Sequence, residues 1–206
     1  MRITAIQIAA GLSSRMGGPN KLLQEIEEEK TLVQHTFTEL QASNVDDVVV
    51  VTGRDSIKVN DELNSMRNEG DDKSTTIVFN PNFEKGMTTS IQVGLNEAKE
   101  SDAIMICLSD MPLLATEDYN ELLASYVKAD NQKAILAPFW GNRKGNPVIF
   151  GSEYFQAIAE HTEMNGCASI IKANNEQLIR FETQSEHYFF DIDTPETLAD
   201  YRARVK

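Results

Sequence analysis

The residues best equipped for chemistry lie in one short stretch near the N-terminus, IQIAAGLSSRMGGPNKLL, residues 6–23. An apolar run ends there in a loop carrying Gly11, Gly17 and Gly18, Ser13 and Ser14, Arg15 and Lys21. Glycines let a backbone approach a ligand closely, and consecutive N–H groups in such a loop can form an anion-binding concavity. The hydroxyls add donors, Arg15 offers a planar fork suited to phosphate, and Lys21 a mobile point charge. Together these groups match what a triphosphate requires, and the alternative is a solvated basic turn. The loop fits neither common nucleotide fingerprint. Lys21 is followed by Leu22 where Walker A needs Ser or Thr, and G-x-G-x-x-G is absent.

A second candidate is Asp110, which follows the apolar run 103–109 and precedes Met111-Pro112. Either it simply ends a strand, or the proline turn aims it into a cleft. A carboxylate in that position is the hard oxygen ligand that Mg²⁺ takes beside substrate phosphates. Asp191 and Asp193 precede Thr194-Pro195 and either cap the last helix or contact metal or substrate. Cys107 and Cys167 stand apart, as do His35, His161 and His187, without the spacing of a zinc or redox site.

These groups need a scaffold, and the pattern of the chain supplies one. Short β-branched or apolar runs at 4–10, 47–53, 75–80, 103–110, 134–140, 146–151 and 177–183 read as strands. Between them, 31–43 places Leu32, Val33, Thr36, Phe37 and Leu40 on one helical face, with Thr31 as N-cap. The segment 88–100 repeats this with Ile91, Leu95 and Ala98, and further helices are expected at 116–128, 152–162, 167–174 and 195–205. Strand–helix alternation predicts an α/β fold with a mostly parallel central sheet and helices on both faces. The polar segment 67–75 reads as a loop too short for a domain boundary, so 1–206 is expected to form one domain. In such sheets ligands collect beyond the carboxyl ends of the strands, where the first loop lies.

Bulk properties narrow the partners. A net charge of −13 argues against nonspecific binding to nucleic acid or to acidic membrane, since both depend on basic surface. A polyanion would have to be held in a locally basic pocket. The longest apolar runs are far too short to span a bilayer, and the start MRITAIQIAAG lacks a secretory pattern, so a cytoplasmic location is expected.

Read as A-A-G-x-S-x-R-M-G-x-x-x-K, the first loop resembles the signature of the nucleotidyltransferases of molybdenum-cofactor maturation. Four further segments resemble that family in the same order: NPNFEKGMTTSIQVGL (80–95), LSDMPLL (108–114), GNPVIF (145–150) and DIDTPETL (191–198). The resemblance implies a Rossmann-like, GT-A-like nucleotidyltransferase fold. The Ala-Ala-Gly opening is similar to the cytidylyltransferase branch, which includes an accessory protein type for xanthine dehydrogenase. It therefore implies CTP as substrate, Mg²⁺ or Mn²⁺ as cofactor, molybdopterin-type cofactor as acceptor, and an apo molybdenum hydroxylase as receiving partner.

By this resemblance Arg15, Lys21 and Asp110 are the catalytic residues, with Asp110 and Asp193 on the metal. Ala9, Ala10, Gly11, Ser13, Ser14, Arg15, Gly17, Lys21, Thr52, Gly53, Gly86 and Ser90 surround the nucleotide. Two positions depart from the family pattern on the acceptor side. Asn146 stands where the family has the histidine of G-H-P, and Asn165 where it has an acid. Asparagine can hydrogen-bond but cannot titrate near neutrality, so the acceptor is less well defined than the nucleotide. Another phosphorylated acceptor, such as a sugar or alditol phosphate, stays open. So does a carrier that binds cofactor without transferring a nucleotide.

Overall fold

The computed structural model describes residues 1–27, 30–66, 73–129, 131 and 133–205. Among the described residues, ten strands and seven α-helices run in the order β1 (Ile3–Ala9), β2 (Glu25–Glu27), β3 (Lys30–Thr31), α1 (Leu32–Ala42), β4 (Asp47–Thr52), α2 (Ser56–Ser65), β5 (Ser74–Phe79), α3 (Met87–Glu97), β6 (Ala103–Leu108), α4 (Thr116–Ala129), β7 (Ile135–Trp140), β8 (Arg143–Lys144), β9 (Val148–Gly151), α5 (Phe155–Ala159), α6 (Ala168–Ala173), β10 (Leu178–Glu182) and α7 (Pro195–Arg204). Eight strands form one sheet in the order β10-β7-β9-β6-β1-β4-β5, with β8 paired to β7. The pairs β1/β4, β1/β6, β4/β5 and β7/β10 are parallel, whereas β9 lies antiparallel between β6 and β7.

The central strands are apolar at successive positions because both faces are buried. Val48 and Val50 of β4 join one core, and Val49 and Val51 join the other. Ala103, Met105 and Cys107 of β6 divide from Ile104 and Ile106 in the same way. The first core receives Leu32, Val33, Phe37 and Leu40 of α1, Val59 and Leu63 of α2 and the apolar face of α4. The second receives Ile91 and Leu95 of α3, Ile158 of α5 and Ile170 and Ile171 of α6. The expected α/β fold, mostly parallel with helices on both faces, is the one observed.

The chain runs from β1 outward to β4 and β5, then returns to place β6 on the opposite side of β1. The loops after β1 and β6 therefore diverge beyond their carboxyl ends, which is the topological switch point where open sheets bind ligands.

Some expectations need correction. Helix α2 was not anticipated: its inward face is only Val59 and Leu63, Ile57 is exposed, and Asp55 enters it in the left-handed region at φ 53°. The expected helix 152–162 is a 3₁₀ turn over Ser152–Tyr154 followed by α5, which ends at Ala159. The strand expected at 146–151 starts at Val148, since Pro147 has no N–H to give a ladder. The small β2–β3 pair and β8 were also unforeseen, each too short to carry a period. Of the expected loop 67–75, residues 67–72 lie outside the described residues, and Ser74 and Thr75 belong to β5. No helix of the described residues is long and apolar enough to cross a membrane.

Candidate active site

The loop after β1 is built from two 3₁₀ turns, Ser14–Met16 and Lys21–Leu23. Ser13 enters the first in the left-handed region at φ 51°, and Gly17 leaves it at φ 69°. Met16 and Leu22 anchor the two turns in the core, while Ser14, Arg15, Gly17 and Gly18 stay exposed. Buried Asn20 holds the ends together, accepting from the Ser13 hydroxyl at 3.2 Å and from the Leu22 N–H at 3.1 Å. The Ser13 hydroxyl oxygen also accepts from the Lys21 N–H at 3.2 Å, so Ser13 is engaged inside the loop.

This loop borders a cleft of about 390 Å³ beyond β1 and β6, whose other walls carry Phe83, Gly86, Ser90, Asp110, Asp191 and Asp193. The carboxylates come from two turns far apart in sequence. Asp110 follows β6, where buried Met111 and Leu114 fix the turn. Asp191 and Asp193 precede α7, and the Ile192 N–H donates to the Asp110 carbonyl at 2.8 Å, stitching the two turns together. The expectation that one of these aspartates caps α7 is corrected. Thr194 is the N-cap, accepting from the Thr197 N–H at 3.3 Å, with Pro195 in the first helical turn.

Lys21 ends between these groups. Its Nζ lies 2.6 Å from Asp110 Oδ2 and 2.7 Å from Asp193 Oδ1, and the residue is only 7% exposed. A buried ammonium without partners would cost several kcal/mol, roughly, so the two carboxylates fix it. Lys21 is thus a pinned charge rather than the mobile one expected. Burial alone would lower its pKa, but Asp110 and Asp193 together raise it. The exposed cation is Arg15, whose side chain is 68% exposed and reaches Asp193 Oδ2 at 2.7 Å.

The aspartate pair is polarised. Burial, then the neighbouring Asp193, push Asp191 up to about 6. Burial acts upward on Asp193 too, but the hydrogen bonds from Lys21 and Asp191 and the charges of Lys21 and Arg15 hold it below the usual carboxylate range.

Asp110, Asp191 and Asp193 can each present an oxygen within 4.8 Å of the others. Asp110 Oδ1 is buried without a hydrogen-bond partner among the described residues. Three hard oxygen donors with one buried oxygen still unpaired fit Mg²⁺ or Mn²⁺. The structure thus adds Asp191 to the expected pair Asp110 and Asp193.

The remaining predicted residues divide by position. Ala10, Gly11, Ser13, Ser14, Arg15, Lys21, Gly86 and Ser90 line the cleft. Ala9, Gly17, Thr52 and Gly53 do not. Thr52 is fully buried, and a side chain at Gly53 would meet Phe83 Cβ at 2.7 Å and Ala10 Cβ at 2.9 Å. Gly86 sits at φ 106°, with room for a Cβ closed off by the Met164 carbonyl at 2.6 Å. Ser90 accepts from Asn80 Nδ2 at 2.9 Å, and Asn80 also receives the Asn82 N–H at 2.8 Å, so Asn80 organises this turn. Asn146 and Asn165 are not brought to the cleft wall. Sequence reasoning did not single out Phe83 or Glu84, which line the cleft from a 3₁₀ turn with no periodic signal.

The family model of the MobA-like NTP transferase domain matches residues 5–178. The chain belongs to this family. It is 27% identical over 163 residues to the bifunctional protein GlmU of Francisella tularensis subsp. novicida (strain U112), a match covering 79% of this chain. The matched part is 33% of that relative, so the chain spans about a third of its length. Among solved structures, a nucleotidyl transferase from Methanothermobacter thermautotroptrophicus superposes with a TM-score of 0.80 at 19% identity, covering 100% of this chain and 99% of that one. CMP:2-keto-3-deoxy-manno-octonic acid synthetase complexed with CTP gives 0.75 at 16% identity, covering 100% and 98%. The fold is therefore the α/β fold that these nucleotidyltransferases share.

Proposed function

We propose that the chain is a cytoplasmic, divalent-metal-dependent cytidylyltransferase that transfers CMP from CTP to a phosphorylated acceptor, molybdopterin-type molybdenum cofactor, and releases pyrophosphate. The carrying observation is the meeting of Lys21 from the glycine-rich loop with Asp110 and Asp193 in one cleft at the switch point of the sheet. Ala9 and Ala10, by their likeness to the cytidylyltransferase branch, and the CTP-bound relative in fold support the choice of base. The acceptor follows from the resemblance of the five segments.

In this reading an acceptor phosphate oxygen attacks the α-phosphorus of CTP, the bond to the β-phosphate oxygen breaks, and pyrophosphate leaves. A phosphate monoester is already anionic, so no strong general base is required. Asp110, Asp191 and Asp193 would hold the ion, and bound there it would neutralise phosphate oxygens. The exposed Arg15 swings from Asp193 to the triphosphate, while Lys21 keeps a positive charge at the base of the loop. The loop N–H groups orient the leaving pyrophosphate, and positioning supplies much of the rate. Gly86 and Ser90, which line the cleft, would border the nucleoside.

Asn146 and Asn165 lie off the cleft wall, which favours a second reading in which the acceptor is another phosphate monoester, such as a sugar or alditol phosphate. A pure carrier has no use for a loop, two cations and three carboxylates in one cleft. Turnover assays with CTP and each acceptor class separate the readings: pyrophosphate release with molybdopterin supports the first, and release only with a sugar or alditol phosphate replaces it.

A further inference from the structure

The phosphate loop is held from outside by a residue that does not touch the cleft. Arg54 follows the buried end of β4 and spans from there to both ends of the 12–18 segment. Its Nη1 donates to the Leu12 carbonyl at 2.5 Å and its Nη2 to the Gly18 carbonyl at 2.8 Å. Its own carbonyl accepts from Asn20 Nδ2 at 3.1 Å, and Asp55 Oδ2 stands 3.4 Å from Nε. One residue thus closes the loop through its side chain and anchors Asn20 through its backbone.

The two non-glycine residues with positive φ among the described residues, Ser13 and Asp55, flank this clasp on its two sides. Left-handed backbone at such residues costs on the order of 1 kcal/mol or more each and persists where surrounding contacts over-determine it. Here those contacts come from Arg54 and Asn20. Without the guanidinium, the carbonyls of Leu12 and Gly18 lose a shared donor, and the segment bearing Ser14 and Arg15 is free to open.

We propose that Arg54 is a positioning residue that holds the 12–18 loop in the shape that receives the triphosphate. This rests on the reading of the cleft as a nucleotide site. A planar guanidinium with parallel donors can bridge two carbonyls, whereas an ammonium is a point charge. The role therefore depends on shape and not on charge.

The test compares the full chain with Arg54→Ala, Arg54→Gln and Arg54→Lys, by calorimetry of CTP with Mg²⁺ and by amide hydrogen exchange across 12–18. All three variants are expected to weaken CTP binding at least tenfold and to speed exchange in the loop, while Mn²⁺ alone binds as in the parent. The Lys variant failing with the others marks a clasp. CTP affinity retained in Arg54→Lys but lost in Arg54→Ala would show a charge acting on the ligand directly and overturn the proposal. If the parent binds no triphosphate, the nucleotide reading fails by itself and the exchange data decide. Faster exchange confined to 12–18 upholds the clasp, and unchanged exchange removes it.

Discussion

The Ile192 N–H donates to the Asp110 carbonyl at 2.8 Å, and this one bond joins the turn after β6 to the turn before α7. It gathers the carboxylates of Asp110, Asp191 and Asp193 in one place, two of them on the Lys21 ammonium, although the chain between the turns builds half the sheet and three α-helices. The site is an encounter of loop ends, and its chemistry can be perturbed one side chain at a time.

Asp110→Ala should lower turnover by a factor of about 10²–10³ or more, the usual cost of removing a group that stabilises charge at a reacting centre. Asp110 is partly exposed and outside the apolar core, so the thermal midpoint should move by only a few degrees. Steady-state kinetics beside a melting curve check this. Full activity in the variant would remove the metal assignment.

Lys21→Met should tighten Mn²⁺ binding in the absence of nucleotide by several-fold. The ammonium pairs with Asp110 Oδ2 and Asp193 Oδ1 and offsets the negative charge that would attract a divalent ion, and its removal leaves the carboxylates to the ion. Titration followed by electron paramagnetic resonance reads free Mn²⁺ directly. Weaker binding in the variant would mean that Lys21 supports the metal site instead of competing for it.

Gly86→Ala should destabilise the protein by about 1–3 kcal/mol, because an L residue is strained at φ 106° and its Cβ would meet the Met164 carbonyl at 2.6 Å. Urea unfolding at constant slope measures it. A neutral result would show that the 163–166 loop yields easily, and with it this wall of the cleft.

Both thiols should be nearly inert in the native protein. Burial raises Cys107 far above its ordinary value and Cys167 to about 12, so at pH 8 less than about 0.1% of Cys167 is thiolate. Ellman's reagent should titrate two thiols in urea and almost none before it. Fast reaction of the native chain would place Cys167 at an open surface.

The fold was legible wherever burial imposed a period. The face Leu32, Val33, Thr36, Phe37 and Leu40 is buried as the 3.6-residue spacing demands, and the unbroken apolar runs of β4 and β6 are unbroken because two cores share them. Helix α2 escaped notice because two inward residues make no pattern. In the site, Gly11, Arg15, Lys21 and Asp110 could be named from residue type and motif, since each carries its chemistry with it. The state of Lys21 could not: only the tertiary meeting with Asp110 and Asp193 turns a flexible cation into a pinned one. Arg54 was equally hidden, because its partners are two backbone carbonyls that no side-chain pattern announces.

The central claim is that the loop over 10–21 cradles a triphosphate, and calorimetry of the purified protein with Mg²⁺ tests it most directly, comparing CTP, GTP, ATP and NADPH. The account predicts preferential CTP binding, weakened at least tenfold in Lys21→Ala through the loss of a charge-assisted contact of about 1.5–3 kcal/mol. Preference for GTP would keep the family and overturn the reading of Ala10. Binding of none of the triphosphates would contradict the account and move the carrier reading to the front.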